Sequence, residues 1–207
     1  MEYLIHLAIL FAIYGILGIS LNLVVGYTGL LSVTHAAFYG IGAYATAILL
    51  TSYGINFFAS VIVAIIFSSI MALLIGLILS KFDDDYYGLA SFGFNIIIFS
   101  VFLNWQELTR GPLGIPGISK PNLFGLDFSS NLSFLALSLI FLALIYFVSS
   151  FIVDSSFGRV LKAIREDEKA IQIFGYNTLY FKLAIFIISA AMASVAVFAF
   201  RFLHHFY

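Results

Sequence analysis

Residues 158–175 read GRVLKAIREDEKAIQIFG and carry seven charged side chains, three of them in the run Glu166-Asp167-Glu168. The chain as a whole is 63% hydrophobic and only 9% charged. Charged side chains are costly inside a bilayer, so this segment must lie in water or against another protein. The apolar sequence on both sides of it then has to form membrane-spanning elements.

Six apolar runs surround the charged segment. A helix needs roughly 20 apolar residues to cross about 30 Å of hydrocarbon. The runs do not alternate between polar and apolar residues, as the strands of a membrane β-barrel do. The sequence therefore predicts an all-α fold, a polytopic transmembrane helical bundle of about six spans. The predicted spans are residues 3–25, 30–51, 57–79, 87–103, 132–153 and 179–203.

Two connections between these spans are unusual. Gly26-Tyr27-Thr28-Gly29 is so short that the first two spans form a tight helical hairpin, or one of them is broken. Residues 105–131 contain all three prolines and four glycines. Proline lacks a backbone donor and glycine favours turns, so we expect an ordered loop or a re-entrant segment there instead of a span.

The basic residues predict the orientation, because membrane proteins retain them on the cytoplasmic side. Residues 154–182 hold five of the nine Lys and Arg residues. With this loop inside, alternation places the loop 105–131 outside and the turns at residues 26–29 and 83–85 inside. The N-terminus falls outside, where Glu2 and the absence of a nearby basic residue suit it.

The charged segment predicts a short helix over about residues 157–174, with Asp154, Ser155 or Ser156 as N-cap and Gly175 as C-cap. Basic residues lie along one side of this helix and apolar residues along another. Such an amphipathic helix lies on anionic headgroups or docks in a groove of a cytoplasmic subunit. The mixed signs of its charges favour a protein partner. Its basic side is Arg159, Lys162, Arg165 or Glu166, and Lys169, and its apolar side is Val160, Ile164 and Ile171.

Several polar or small residues fall inside predicted spans. His35 is either a neutral histidine bonded to a neighbouring helix, the reading we favour, or part of a solute pathway. Small neighbours allow close helix contact around it. Asn22 and Asn95 are open to the same two interpretations, with contact between helices favoured. The pathway or packing candidates are Asn22, Gly26, Gly29, His35, Gly40, Gly42 and Asn95.

Other chemistry is not indicated. The acidic triplet 83–85 is expected to be a solvated turn, because three adjacent carboxylates do not converge on one metal ion. There is no cysteine, and the net charge of −1 gives no case for nucleic acid. The chain has no GxxxxGK[ST] phosphate-binding loop, so we expect neither an enzyme nor a nucleotide cofactor in this chain.

Three stretches carry a resemblance to a known family. They are GILGISLNLVVGYTGLLSVTHAAFYGIGAYATAIL (residues 15–49), YGLASFGFNIIIFSVFLNWQELTRGPLGIPGISKPNLFGL (87–126) and GRVLKAIREDEKAIQIFGYN (158–177). In this order and with similar spacing, they resemble permeases of branched-chain amino acid ABC importers of the LivM type. The resemblance covers nearly the whole chain.

The resemblance implies that the segment 158–177 is cytoplasmic and couples the permease to ATPase subunits. The implied coupling residues are Arg159, Lys162, Arg165, Glu166, Asp167, Glu168 and Gly175. It also implies that the external loop covers the mouth of the pathway and meets the binding protein, although a plain connector is equally open. The candidate gate residues are Trp105, Gly111, Pro112, Gly114 and Pro116.

The implied function is inward transport of leucine, isoleucine and valine across the inner membrane of a bacterium. The implied partners are membrane lipid, a second permease subunit, two cytoplasmic ABC ATPases and a periplasmic or lipid-anchored substrate-binding protein. ATP is then bound by the partners, and this chain is not an enzyme.

Alternative functions stay open at this point. Relatives of the family carry urea, amides or sugars. A stand-alone secondary transporter or channel is another class, although ion coupling would need buried charges at mid-span, and only His35 is ionisable there. An inactive fragment is the third, because the family has a helix before residue 3 and several after residue 203. We therefore expect residues 1–207 to be a single permease domain that is incomplete at both ends.

Overall fold

A computed structural model describes residues 2–82, 84–115, 122–123, 126–127 and 131–197. The all-α class is confirmed. A two-residue antiparallel ladder is formed by β1 (Asn122–Leu123) and β2 (Leu126–Asp127). The helices in chain order are α1 (Glu2–Thr28), α2 (His35–Ser52), α3 (Phe57–Leu79), α4 (Asp84–Asn104), α5 (Gln106–Thr109), a 3₁₀ turn over Gly111–Leu113, α6 (Asn131–Asp154), α7 (Ser156–Glu166), α8 (Glu168–Ile173) and α9 (Thr178–Val195).

Five of the described helices are long and apolar enough to be candidate spans, and the second of the six predicted spans is not among them. α2 is the one that fails this criterion, because small and polar residues fill much of HAAFYGIGAYATAILLTS. Such residues suit a helix that packs against α3 and α9 better than one that faces lipid. The five candidate spans are Tyr3–Thr28, Phe57–Leu79, Tyr86–Asn104, Leu132–Asp154 and Thr178–Val195.

The start of α2 also differs from the prediction of a span over residues 30–51. Residues 29–34 are not helical, and α2 begins at His35, whose Nε2 lies 3.2 Å from the Ser189 hydroxyl. Ser189 is three turns into α9, so α2 starts roughly 16 Å inside the bundle at about 1.5 Å per residue. The chain is therefore broken between α1 and α2, and the two do not form a tight hairpin.

α9 is the central helix. Half of the residues in its apolar membrane-spanning stretch are buried, against 11% of those in the corresponding stretch of α6. One apolar cluster joins α9 to α1 and α6, with Ile16 and Ile185 fully buried in it. A second joins α9 to α2, α3 and α4, where the rings of Phe38 and Phe186 meet edge to face with centroids 5.3 Å apart. These clusters leave the outer faces of α4 and α6 apolar and exposed, as lipid contact requires.

Close helix contact occurs where the sequence predicted it. A Cβ on Gly42 would lie 3.1 Å from the Ser194 Cα on α9, and one on Gly40 would lie 2.7 Å from a ring carbon of Phe102 on α4. Larger side chains at these positions would separate α2 from its neighbours. The small residues of α2 therefore permit packing on two sides.

The junction between α6 and α7 depends on a glycine. The Ser155 hydroxyl caps α7 by accepting from Gly158 N at 3.3 Å and donates to the Ile152 carbonyl at 2.6 Å. A Cβ on Gly158 would lie 2.6 Å from the Ile152 carbonyl oxygen and closer still to that of Val153. Backbone carbonyls cannot rotate aside as a flexible side chain can, so this turn has room only for glycine.

We expect Gly158→Ala to destabilise the folded chain by about 1–3 kcal/mol, the range for forcing an added methyl into a packed site. Thermal unfolding in detergent, followed by loss of the monodisperse chromatographic peak, measures this. Gly93→Ala is the matched control, because nothing lies within 4 Å of a Cβ there. Equal melting temperatures for the two variants would contradict the steric argument.

Candidate functional site

The charged segment forms two helices, which corrects the single helix expected over residues 157–174. α7 ends at Glu166, and Asp167 adopts φ −155° and ψ 97° before α8 begins. The Asp167 carboxylate accepts from Ala170 N at 3.0 Å and so caps α8. A side chain that offers this bond competes with helix continuation, which explains the break.

The predicted outer ends of the segment are confirmed. Ser155 is the N-cap of α7, and Gly175 follows α8 with φ 87°. Gly175 N donates to the Gln172 carbonyl at 2.9 Å, and Tyr176 N donates to the Ile171 carbonyl at 3.3 Å. This is the Schellman arrangement, which favours glycine at the position of positive φ.

α7 is attached to the end of α1 by two cations. The Arg165 guanidinium donates to the Gly26 carbonyl, and the Lys162 ammonium lies 5.4 Å from the centroid of the Tyr27 ring. Gly26 is in the last turn of α1, where carbonyls lack helical partners and the helix dipole favours positive charge. Gly29, at φ 73°, brings the backbone beside the Arg165 side chain. The predicted candidates Gly26, Gly29, Lys162 and Arg165 thus meet at one contact.

α8 is attached to α9 instead. Glu168 forms an ion pair with Lys182, and Gln172 Nε2 donates to the Thr178 hydroxyl at 3.0 Å. Lys182 lies just over one turn inside the candidate span Thr178–Val195. An ionisable group in a span needs a partner, and Glu168 supplies it.

Other predicted coupling residues point outward or bond locally. Arg159 donates to the Ser156 hydroxyl at 2.7 Å, while Glu166 and Lys169 are exposed. The end of α8 exposes two large apolar side chains that sequence reasoning missed, Ile173 at 85% and Phe174 at 78%. Apolar groups this exposed on the water-facing segment indicate a contact surface for protein or lipid.

The apolar side of the segment differs in part from its prediction. Ile164 is buried as expected, while Val160 and Ile171 are only partly buried. The second buried anchor of α7 is Leu161, which packs with α1 and α6 in the core. Because the helix breaks at Asp167, the side of α8 that faces the bundle is rotated relative to that of α7. One continuous helical period therefore cannot predict the inward-facing residues of both helices.

Two more of the candidates inside predicted spans, His35 and Asn22, have different environments in the structure. His35 is buried, bonded to Ser189 on α9 and edge to face with Phe38 at 6.2 Å. This is the contact that the packing interpretation expects. Asn22 is exposed on the surface of α1.

Gly40 and Asn95 lie together in the wall of a cavity of about 360 Å³ between α2 and α4. The segment after the 3₁₀ turn contributes Gly114 and Ile115 to the same wall. The lining is mostly apolar, and none of its described side chains is charged. The cavity therefore suits a neutral or apolar group. Its wall contains two of the pathway candidates, Gly40 and Asn95, and one of the gate candidates, Gly114.

Three other gate candidates belong to the chain segment between Leu103 and Gly114, which both line this cavity. Trp105 is half exposed and precedes α5, and Pro112 is exposed within the 3₁₀ turn. Gly111 has φ 58°, and a Cβ there would lie 2.8 Å from the Leu103 carbonyl oxygen. The Thr109 hydroxyl ties this segment to α4 by donating to the Phe102 carbonyl at 2.7 Å. Pro116 lies outside the described residues.

The turns assigned to one side of the membrane lie at one end of the bundle. The end of α1 meets α7 through Arg165. The turn after α3 contributes Ser80 and Phe82 to a cavity that Glu168 and Lys182 also line. Among the described residues no group of three His, Cys, Asp or Glu side chains lies close enough to hold a metal ion.

Several apolar helices around a buried centre, with one water-facing charged segment, define a multi-pass membrane protein. Residues 3–203 match the family model described as branched-chain amino acid transport system / permease component. The chain belongs to this family of permease components.

Two curated bacterial relatives are each 36% identical to this chain over 93% of its length. They are the high-affinity branched-chain amino acid transport system permease proteins LivM of Escherichia coli (strain K12) and Salmonella typhimurium (strain LT2). This chain covers 51% of each and so spans about half of their length. The probable branched-chain amino acid transport permease protein LivM of Methanocaldococcus jannaschii is 27% identical over 90% of this chain and 63% of its own. No solved structure matches.

We expect Arg165→Gln to loosen α7 from α1 without unfolding the bundle. A partly solvated charge-assisted hydrogen bond contributes about 1 kcal/mol, so amide exchange in α7 should accelerate roughly fivefold. Hydrogen exchange with mass spectrometry of the purified chain measures this. Arg159→Gln is the control, because Arg159 donates to Ser156 and to the Asp154 carbonyl at the end of α6 and has no such bond to α1. Unchanged exchange in α7 of Arg165→Gln would contradict the contact.

Proposed function

We propose that this chain is the membrane-spanning permease part of an ABC importer that carries leucine, isoleucine or valine inward. The match of residues 3–203 to the permease family carries this proposal. The proposed partners are two cytoplasmic ATPases that bind and hydrolyse ATP, a second permease subunit and a periplasmic or lipid-anchored substrate-binding protein. The chain contributes no catalytic group and needs no cofactor of its own.

The α7–α8 segment is the proposed coupling element. Its exposed side offers Ile173 and Phe174 beside Glu166 and Lys169, an apolar anchor with a charged rim of the kind found in protein interfaces. Its inner side contacts α1 through α7 and α9 through α8. A movement that the ATPases impose on the segment would therefore reach two different spans. Alternating access needs such a differential contact in its two states.

The cavity between α2 and α4 is the proposed part of the solute pathway that this chain contributes. Asn95 supplies an amide within an apolar wall, which can bond a polar group of the solute while the wall contacts an aliphatic side chain. Gly114 lines this cavity beside Ile115, and it is the proposed gate residue. The external loop would then meet the binding protein directly beside the pathway.

The proposed location is the plasma membrane of a bacterium, with the α7–α8 segment inside the cell. This orientation rests on the five basic residues between positions 154 and 182. With residues 29–34 and α2 counted together as one crossing, it places the N-terminus and the turn after α2 outside.

Cysteine labelling tests the orientation, because the chain has no cysteine of its own. Tyr53→Cys, in the exposed turn after α2, should react with an impermeant maleimide on intact cells. Gln172→Cys, exposed on α8, should react only after the membrane is opened. The reverse pattern would invert the topology and remove the coupling role from α8.

Phe174→Asp tests the coupling contact in the assembled transporter. Removing a central apolar anchor from an interface costs about 2 kcal/mol or more, so co-purification of the ATPases and ATP-driven uptake of leucine should fall at least tenfold. Tyr53→Asp is the matched control, because Tyr53 is also an exposed aromatic residue (72%) but follows the C-terminal end of α2, away from α8.

Membrane insertion is measured in parallel and should be equal for both variants. Retention of the ATPases by Phe174→Asp would contradict docking at this residue. Such a result would leave Phe174 as a lipid-facing side chain.

A further inference from the structure

A second cavity lies at the end of the bundle where the charged segment packs. It encloses about 350 Å³ between α8, the first turns of α9 and the turn after α3. Small-molecule sites begin at roughly this volume. Lys169 lines the cavity and is exposed to solvent, so the cavity opens to the water on that side.

One wall carries charges of both signs. Glu168 and Lys182 form their ion pair there, and Lys169 adds a second ammonium. The pair is only partly buried, with 35% of the Glu168 side chain and 24% of the Lys182 side chain accessible. Both groups therefore keep bonding capacity for a ligand, because an ammonium has three donors and a carboxylate about four acceptor sites.

Other parts of the lining are apolar. Leu30 from the break between α1 and α2, and Leu183 and Phe186 from α9, form them. Phe186 is fully buried and its ring is fixed against Phe38. The lining also includes the hydroxyl-bearing side chains of Ser80 and Tyr87. A carboxylate, two ammoniums and an apolar surface thus line a single small cavity.

We propose that this cavity binds one free α-amino acid with an aliphatic side chain from the water at the coupling end. Lys182 and Lys169 take its carboxylate, Glu168 takes its ammonium, and Leu30, Leu183 and Phe186 contact its side chain. This inference rests on the proposed transport of branched-chain amino acids and adds a second position for them, distinct from the cavity beside Asn95. The ligand bonds to both members of the ion pair that joins α8 to α9.

A simple anion site fits these residues less well. The Glu168 carboxylate repels a phosphate or sulfate, and desolvating it beside an anion would be costly. A lone cation would meet two ammoniums. A zwitterion satisfies both signs, and the apolar wall selects among zwitterions for one with a hydrocarbon side chain.

The test uses protection of a single cysteine in the purified chain, held in phosphatidylcholine nanodiscs. Ser80→Cys places the thiol in the cavity wall, and Ser52→Cys places one at the opposite end as control. Leucine should slow maleimide labelling at position 80 severalfold and leave position 52 unchanged. Isocaproate lacks the ammonium and isoamylamine lacks the carboxylate, so each should need at least about tenfold higher concentration.

Two variants identify the groups involved. Lys182→Met should abolish protection by leucine, and Lys169→Met should weaken it while the Glu168–Lys182 pair stays intact. Arg159→Gln, outside the cavity, should retain it. Labelling at position 52 and a monodisperse particle show that each variant is folded.

Absence of protection by leucine would overturn the proposal. So would equal protection by isocaproate or inorganic phosphate, which would indicate an anion site such as one for a lipid headgroup. Leucine uptake by the assembled transporter is measured separately. If the transporter takes up leucine but leucine does not protect position 80, only this site is rejected. If the unmodified transporter takes up no leucine, the proposed function is rejected.

Discussion

The structure depends on how the backbone is satisfied where the chain leaves α1 and enters α2. Unpaired amides and carbonyls in a membrane are tolerated only where protein covers them. Arg165 bonds the Gly26 carbonyl, and the Ser91 hydroxyl accepts from Val33 N at 3.0 Å. Ser32 and Thr34 turn inward and bond each other at 2.9 Å, while Leu31 and Val33 face outward. This alternation places polar groups inside and apolar groups outside, as lipid demands.

The same break joins elements that are distant in sequence. α7 reaches it through Arg165, α4 through Ser91 and α9 through the bond between Ser189 and His35. A short, non-helical stretch therefore connects the water-facing segment to the centre of the bundle. Because non-helical backbone changes its φ and ψ more readily than a helix does, this is where two arrangements of α2 would differ.

The sequence predicted what apolar length and local chemistry determine. The bounds of α3 and the caps at Ser155 and Gly175 agree with it, since they depend on neighbouring residues. It did not predict the start of α2 at His35 or the role of Lys182. The start of α2 was missed because a run of apolar residues looks the same in sequence whether it is helical or extended. The role of Lys182 was missed because its partner lies fourteen positions away on another helix. The sequence did hold one indication of this ion pair, since a lysine inside a predicted span needs a partner.

The two halves of the charged segment are held by interactions of unequal strength. α7 buries Leu161 and Ile164, and each fully buried side chain of this size contributes about 1.5–3 kcal/mol. α8 buries none of its residues and is held by a partly solvated ion pair and the bond from Gln172 to Thr178. Such a pair contributes at most about 1 kcal/mol. α7 therefore stays with α1 while α8 can turn about Asp167, so a force applied at Phe174 acts first on the contact between α8 and α9.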